Sequence, residues 1–331
     1  MTDNLHKIQE LVLFKEKKSQ FEAIKKEDKY KFEKEEQEDK IQIRYELKPI
    51  GRYYRYSFMV INSNKSPITE VKIKIILPNF MEVYRSSPPT AETEILKKNE
   101  TEVKVKFNEI EGRSNKQINL YLIPLNLNKD GEIRSFLTFI NTKDLVRVIN
   151  SDPIKIYIPE LAIENLIIPS SKIPEIYQDK RFKKSLISLG VVTKRTQDLQ
   201  VYLDNMERKL KLLNFQFITR DIDNKVTWYF GTCWNKNKIE TTKQYEVLLI
   251  GQIISGKIEF LLLCENQDYL VSLSTLVFNE FKSVIMHKSS IKSENQILNL
   301  ECKSCGVVLP YLPDKGEKIT CNKCQYQQVI W

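Results

Sequence analysis

Two CxxC pairs close the chain. Cys302-Lys-Ser-Cys305 and Cys321-Asn-Lys-Cys324 are separated by 15 residues, a spacing in the range expected of a four-thiolate zinc site. Each pair sits in a tight turn and offers two thiolates, and four complete a closed tetrahedron with bonds of about 2.3 Å. A segment as small as 299–331 cannot bury enough apolar surface to fold alone, so the metal would supply its folding energy. The expectation is a zinc ribbon holding one structural ion on Cys302, Cys305, Cys321 and Cys324, with no coordination position open for catalysis. Cysteines used in this way suit a reducing, cytoplasmic compartment. Cys233 and Cys264 lie in apolar runs and read as buried, inert thiols.

Reactive chemistry has little to work with elsewhere. The 331 residues include only two histidines, His6 and His287, in different parts of the chain. Acid–base catalysis near neutral pH leans on His, so a His-assisted nucleophile is disfavoured. Only 9 glycines are present, and neither GxGxxG nor GxxxxGK[ST] occurs, which removes the usual phosphate-cradling loops. A non-catalytic binding protein is the expectation. Apolar runs such as Val247–Ile250 are strand-sized, far below the roughly 18 residues of a membrane span, and no secretory signal is visible.

Four segments follow from the patterning. Residues 1–40 read as a charged helical arm: between Lys15 and Lys40, 18 of 26 residues are charged, nine of each sign. Glu22–Lys26, Glu27–Lys31 and Glu36–Lys40 stand four apart, each worth about 0.3 kcal/mol to an isolated helix. The apolar stripe is broken, so an extended arm or tether is favoured over a short coiled coil with a helical partner. Residues 41–160 alternate. Val71-Lys-Ile-Lys-Ile75 and Val103-Lys-Val-Lys-Phe107 put apolar and charged side chains on opposite faces, and turn residues separate seven or eight such runs. That describes an immunoglobulin-like β-sandwich.

Residues 161–298 are mixed. Gln178–Leu189 reads as a short helix and Gln197–Leu213 as a longer one, with Leu199, Leu203, Met206, Leu210 and Leu213 at spacings of three and four and Thr196 as N-cap. Four strands follow, Phe215–Ile222, Lys225–Thr232, Tyr245–Ile254 and Lys257–Cys264, then a helix over Asp268–Met286. The order implies an α+β unit, an antiparallel sheet with helices on one face. Trp228, Phe230 and Trp234 share one face of a strand and read as core.

The sandwich followed by this unit resembles the appendage, or ear, of coat-vesicle adaptor subunits such as the COPI γ subunit and the adaptins, over roughly residues 41–290. The segments Arg181-Phe-Lys-Lys-Ser-Leu-Ile-Ser-Leu-Gly190 and Met206–Phe217 look like that family's first platform helix and its helix-to-strand transition. The resemblance implies a platform docked on a sandwich, binding short acidic or aromatic motifs of partner proteins in membrane traffic. Family platforms use a Trp on the first helix with nearby basic side chains. Leu186 stands at the matching position here, with Lys183, Lys184 and Arg220 as the basic partners.

The net charge of +9 raises a second expectation, a nucleic-acid-associated zinc-ribbon factor. By segment the charge is −1 over 1–40, +5 over 41–160, +4 over 161–298 and +1 over 299–331. So thin a spread favours protein partners over nucleic acid. The one local cluster, Lys180, Arg181, Lys183 and Lys184 with Lys194, Arg195, Arg208, Lys209 and Lys211, is a solvated surface or a dock for an acidic partner.

Overall fold

The computed structural model describes residues 40–89, 91–96, 100–192, 199–237, 243–288, 291 and 293–331. The arm over 1–39, Lys194, Arg195 and the Thr196 cap lie outside the described residues. The alternation in the first half becomes strands: β1 (Ile41–Ile50), β2 (Tyr53–Asn62), β3 (Ile68–Leu77), β4 (Met81–Ser87) and β5 (Glu92–Ile95). Then come β6 (Thr101–Ile110), β7 (Ser114–Pro124), β8 (Lys129–Ile140), β9 (Val146–Asn150) and β10 (Ile154–Ile158). They form two antiparallel sheets, in order β1-β2-β7-β4 and β10-β8-β3-β6-β5, with β9 also paired to β8.

The two sheets share one core. Tyr56, Phe58 and Val60 of β2 and Ile118, Leu120 and Leu122 of β7 meet Ile73, Ile75, Val105 and Leu137 of the facing sheet. Each such side chain contributes about 1.5–3 kcal/mol by leaving water. Lys72 and Lys74, which alternate with these residues on β3, are exposed, as period-2 geometry requires. Tyr56 Oη and Ser135 Oγ meet at 2.6 Å across the core, so the buried hydroxyls are mutually satisfied.

The second half builds β11 (Leu161–Asn165), α1 (Ile173–Gln178), β12 (Lys183–Val191), α2 (Leu199–Leu212) and β13 (Gln216–Asp221). It continues with β14 (Val226–Asn235), β15 (Tyr245–Ile254), β16 (Lys257–Cys264), α3 (Gln267–Lys288) and β17 (Ile297–Asn299). Its sheet runs β11-β14-β15-β16-β12-β17, and the first half of β14 also pairs with β13. Strand β11 reaches β14 through Gly231, where a Cβ would stand 2.8 Å from the Glu164 carbonyl oxygen. Helices α2 and α3 cover one face. Leu203, Met206 and Leu210 of α2, with Leu270, Leu273, Val277 and Phe281 of α3, pack on Val247, Leu249, Phe260 and Leu262.

The helix expected over Gln178–Leu189 is not there. Helix α1 ends at Gln178, and the following residues are strand β12, antiparallel to β16 from Lys183↔Cys264 to Leu189↔Ile258. Phe182, Leu186 and Leu189 stand at helical spacing. The same stretch also alternates, and Ser185, Ile187 and Leu189 bury against the helix-covered face. Pairing with β16 decides between the two periods.

Helix α3 ties the halves together. Val271 enters the sandwich core, Asn279 Nδ2 donates to the Leu125 carbonyl at 3.2 Å, and Gln267 Nε2 donates to the Gly51 carbonyl at 3.1 Å. Strand β17 adds to the edge of β12, and β18 (Lys318–Thr320) with β19 (Gln327–Val329) forms a hairpin beyond it. No described helix is long and apolar enough to cross a membrane.

Candidate metal centre and the open sheet face

The two CxxC turns have the same backbone construction. Cys302 N–H donates to the Val307 carbonyl and Gly306 N–H to the Cys302 carbonyl, both at 2.8 Å. Nineteen residues on, Cys321 N–H donates to Tyr326 and Gln325 N–H to Cys321, both at 3.0 Å. Gly306 and Gln325, the fourth residue after each first cysteine, both turn left-handed, at φ 76° and 59°. Backbone N–H groups point at the sulfurs. The Tyr326 N–H holds the Cys324 thiol down at about 6, whereas burial pushes the Cys305 thiol up to about 12.

All four Sγ atoms lie within 4.8 Å of one another. Cys302 and Cys324 Sγ are 3.6 Å apart, Cys305 and Cys321 Sγ 3.5 Å. A tetrahedron with metal–sulfur bonds of about 2.3 Å has edges of about 3.8 Å, so the set fits one four-coordinate ion. Cys302 and Cys321 are buried in a small core with Leu300, Leu309 and Ile319. Cys233 and Cys264, by contrast, are buried free thiols on β14 and β16, with β15 between. The Cys264 thiol beside Cys233, together with burial, holds the Cys233 thiol well above its ordinary value.

The centre is anchored by residues with no motif to announce them. Glu301, adjacent to Cys302, is 4% exposed and faces Arg52, 5% exposed, with Arg52 Nη1 3.5 Å from Glu301 Oε1. Tyr53 Oη donates to the same carboxylate, and Arg52 Nη2 donates to Asn299 Oδ1 at 3.2 Å. The guanidinium lies 5.2 Å from the Tyr53 ring centre and 5.4 Å from that of Tyr84. Arg85 stacks on Tyr121 at 3.3 Å and donates to the Ser304 carbonyl at 3.2 Å. Gln328 Oε1 accepts from Lys303 N–H at 2.7 Å while its Nε2 donates to the Glu301 carbonyl at 3.1 Å, tying one CxxC turn to the other.

The other candidate residues are divided by the sheet. Leu186, Leu261, Ile250 and Trp228 are cross-strand neighbours on β12, β16, β15 and β14, on the face away from α2 and α3. Above this row Phe230, Leu248 and Leu263 are covered by Ile176 and Phe182. Below it Glu259 accepts from Ser188 at 3.1 Å and Gln252 at 2.8 Å, and Lys257 Nζ reaches the Leu309 carbonyl at 2.8 Å. Between these covers Leu186, Leu261 and Trp228 stay partly exposed, while Ile250 is buried. Trp228 therefore borders solvent instead of lying wholly in the core.

Lys184 is on this face, its Nζ 3.7 Å from the Tyr177 ring centre. Lys183 falls on the opposite side of β12, in register with Cys264. Arg220 also points to the helix side, where Asp204 at 3.1 Å and Glu207 of α2 engage it. Of the four expected peptide-binding residues, Lys184 and Leu186 share a face, and Lys183 and Arg220 are elsewhere.

No family model and no curated protein matches the chain. Solved structures that match in part include the major pilin SpaD of Corynebacterium diphtheriae, at 10% identity and TM-score 0.28, covering 45% of this chain and 42% of that one. The pilin BcpA of Bacillus cereus is 9% identical over 66% of this chain and 65% of its own, with TM-score 0.28. A DUF4466 family protein of Parabacteroides merdae is 6% identical over 67% and 98%, with TM-score 0.26. The chain thus spans less than half the length of the diphtheria pilin, and scores this low carry no functional argument. These neighbours are not adaptor appendages. The segment taken as the appendage's first helix is strand β12, with Leu186 in mid-strand. The coat-adaptor resemblance is corrected on this second ground, a strand where its first platform helix is expected.

Proposed function

We propose that this chain is a non-catalytic protein-interaction module, in which the four C-terminal cysteines hold one structural zinc ion and the open sheet face receives short partner peptides. The observation that carries the reading is the row Leu186–Leu261–Ile250–Trp228, apolar across four strands, with Leu186, Leu261 and Trp228 partly exposed around a buried Ile250. The occupant that suits it is a peptide with one or two large apolar side chains followed by an acidic residue. The apolar side chains would lie on the row, and the acid would meet Lys184, whose ammonium has no ion pair among the described residues. Immunoglobulin-like packing of the first two sheets is the finer description that accompanies this reading.

Zinc supports the face without touching chemistry. With four protein thiolates bound, the ion has no site left for a substrate, and its role is to fix the turns beside β17. Tests are direct. Peptide display against the full chain should enrich an apolar–acidic consensus that Leu186→Glu abolishes. Recovery of the same consensus from the L186E protein, or of none from either, would refute the docking face.

A further inference from the structure

The loop end of the sandwich, far in sequence from the cysteines and the open row, forms a cavity of about 490 Å³, a size suited to a small molecule. Its walls are the start of β1, the β2–β3 turn, the β6–β7 turn and the β8–β9 turn. Lys40, Lys65, Arg113 and Lys143 line it, and no lining residue is acidic. None of the four has an ion pair with a described residue. Four like charges converging on one concave surface repel one another and raise a strong local positive potential, which an anion would relieve.

The walls are held before any ligand arrives. Asn62, 1% exposed, donates through Nδ2 to the Ser66, Ile110 and Glu111 carbonyls at 2.9, 3.1 and 3.1 Å. Asn141 Oδ1 accepts the Lys143 and Leu145 N–H groups, both at 3.0 Å. Gly112 packs so tightly on the β2–β3 turn that a Cβ would stand 2.1 Å from the Lys65 carbonyl oxygen. Arg113 is held left-handed at φ 56°, a conformation that costs a non-glycine residue energy and clusters at ligand sites.

We propose that this cavity binds a small polyphosphorylated anion. A single phosphate would fill a small part of it, so the ligand class is a compact frame carrying several phosphate groups matched to the four cations. That chemistry could be free or displayed as a lipid headgroup. The anions close in sequence are Glu35, Glu36, Glu38 and Asp39 directly before Lys40, Glu111 two residues before Arg113, and Asp144 next to Lys143; Glu111 and Asp144 do not line the cavity.

The test is calorimetric titration of the full chain, and of the E35Q/E36Q/E38Q/D39N variant, with inositol hexakisphosphate, inorganic pyrophosphate and sulfate at physiological salt. Binding of the two polyphosphates, with sulfate at least tenfold weaker, is expected for one or both proteins. K65E/R113E, and the milder K65Q/K143Q should the first fail to fold, should weaken it at least tenfold. K116E/K155E, a charge change outside the cavity, should alter it less than twofold. Co-sedimentation with phosphatidylcholine vesicles, with and without phosphatidylinositol bisphosphate, separates the sources: lipid-dependent pelleting marks a headgroup, and soluble binding alone marks a free ligand. No binding by either protein, or equal weakening by K65E/R113E and K116E/K155E, would overturn the proposal.

Discussion

Removing the Glu301 carboxylate would strand the Arg52 guanidinium in a pocket made by Tyr53, Tyr84 and Phe278. Breaking a buried pair from one side costs about 3–5 kcal/mol. Arg52→Ala and Glu301→Gln are each expected to lower the unfolding free energy by about that much in urea titrations, and the double variant by much less than the sum, because the partners share one interaction. Additive losses would show that the pair is not coupled. Glu102 makes a second residue-level case. Lys74 first, then Lys104, holds its carboxylate below the ordinary value of 4.5. A depressed carboxylate stabilises the fold above its unfolded pKa, and the gain is lost as pH falls through the folded one. Glu102→Gln should therefore flatten the acid limb of stability between about pH 5 and about pH 3. An unchanged acid limb would assign it to other groups.

At the scale of elements, the cysteine turns and β17–β19 are too small to fold on their own apolar core. Cys321→Ser, or a strong chelator, is expected to release the β18–β19 hairpin and the β17–β12 pairing together. Hydrogen exchange would show 297–329 losing protection while β14, β15 and β16 keep theirs; full protection after metal loss would make the ion incidental. These elements also show what the sequence could and could not disclose. The cysteine spacing was legible because ligand geometry fixes it. Strands β15 and β16 were legible to the residue, since each carries an uninterrupted apolar stretch, Val247–Ile250 and Phe260–Cys264, with a Ser-Gly turn between the strands. Strand β5 was not, because all four of its residues are exposed and leave no burial pattern. Strand β12 was misread, because Phe182, Leu186 and Leu189 satisfy a helical period while its neighbour β16 lies about seventy to eighty residues away.

Over the whole molecule, the cysteine centre touches both larger units. It meets the sandwich through Arg52, Tyr53 and Arg85, and the second sheet through β17, Lys257 and the contact of Leu312 over Gly190. None of Arg52, Glu301 or Arg85 belongs to a motif, since their partners are more than two hundred residues apart. The sequence alone likewise grouped Lys183 with Lys184 by adjacency, whereas a strand sends neighbours to opposite faces. That separation makes the proposed docking face testable with single substitutions. The most direct measurement is the affinity of a display-selected peptide for the full chain and for K183E, K184E and L186E. The account predicts that K184E and L186E each weaken binding at least tenfold and that K183E changes it less than twofold. Equal weakening by K183E and K184E, or an unaltered affinity in L186E, would contradict it.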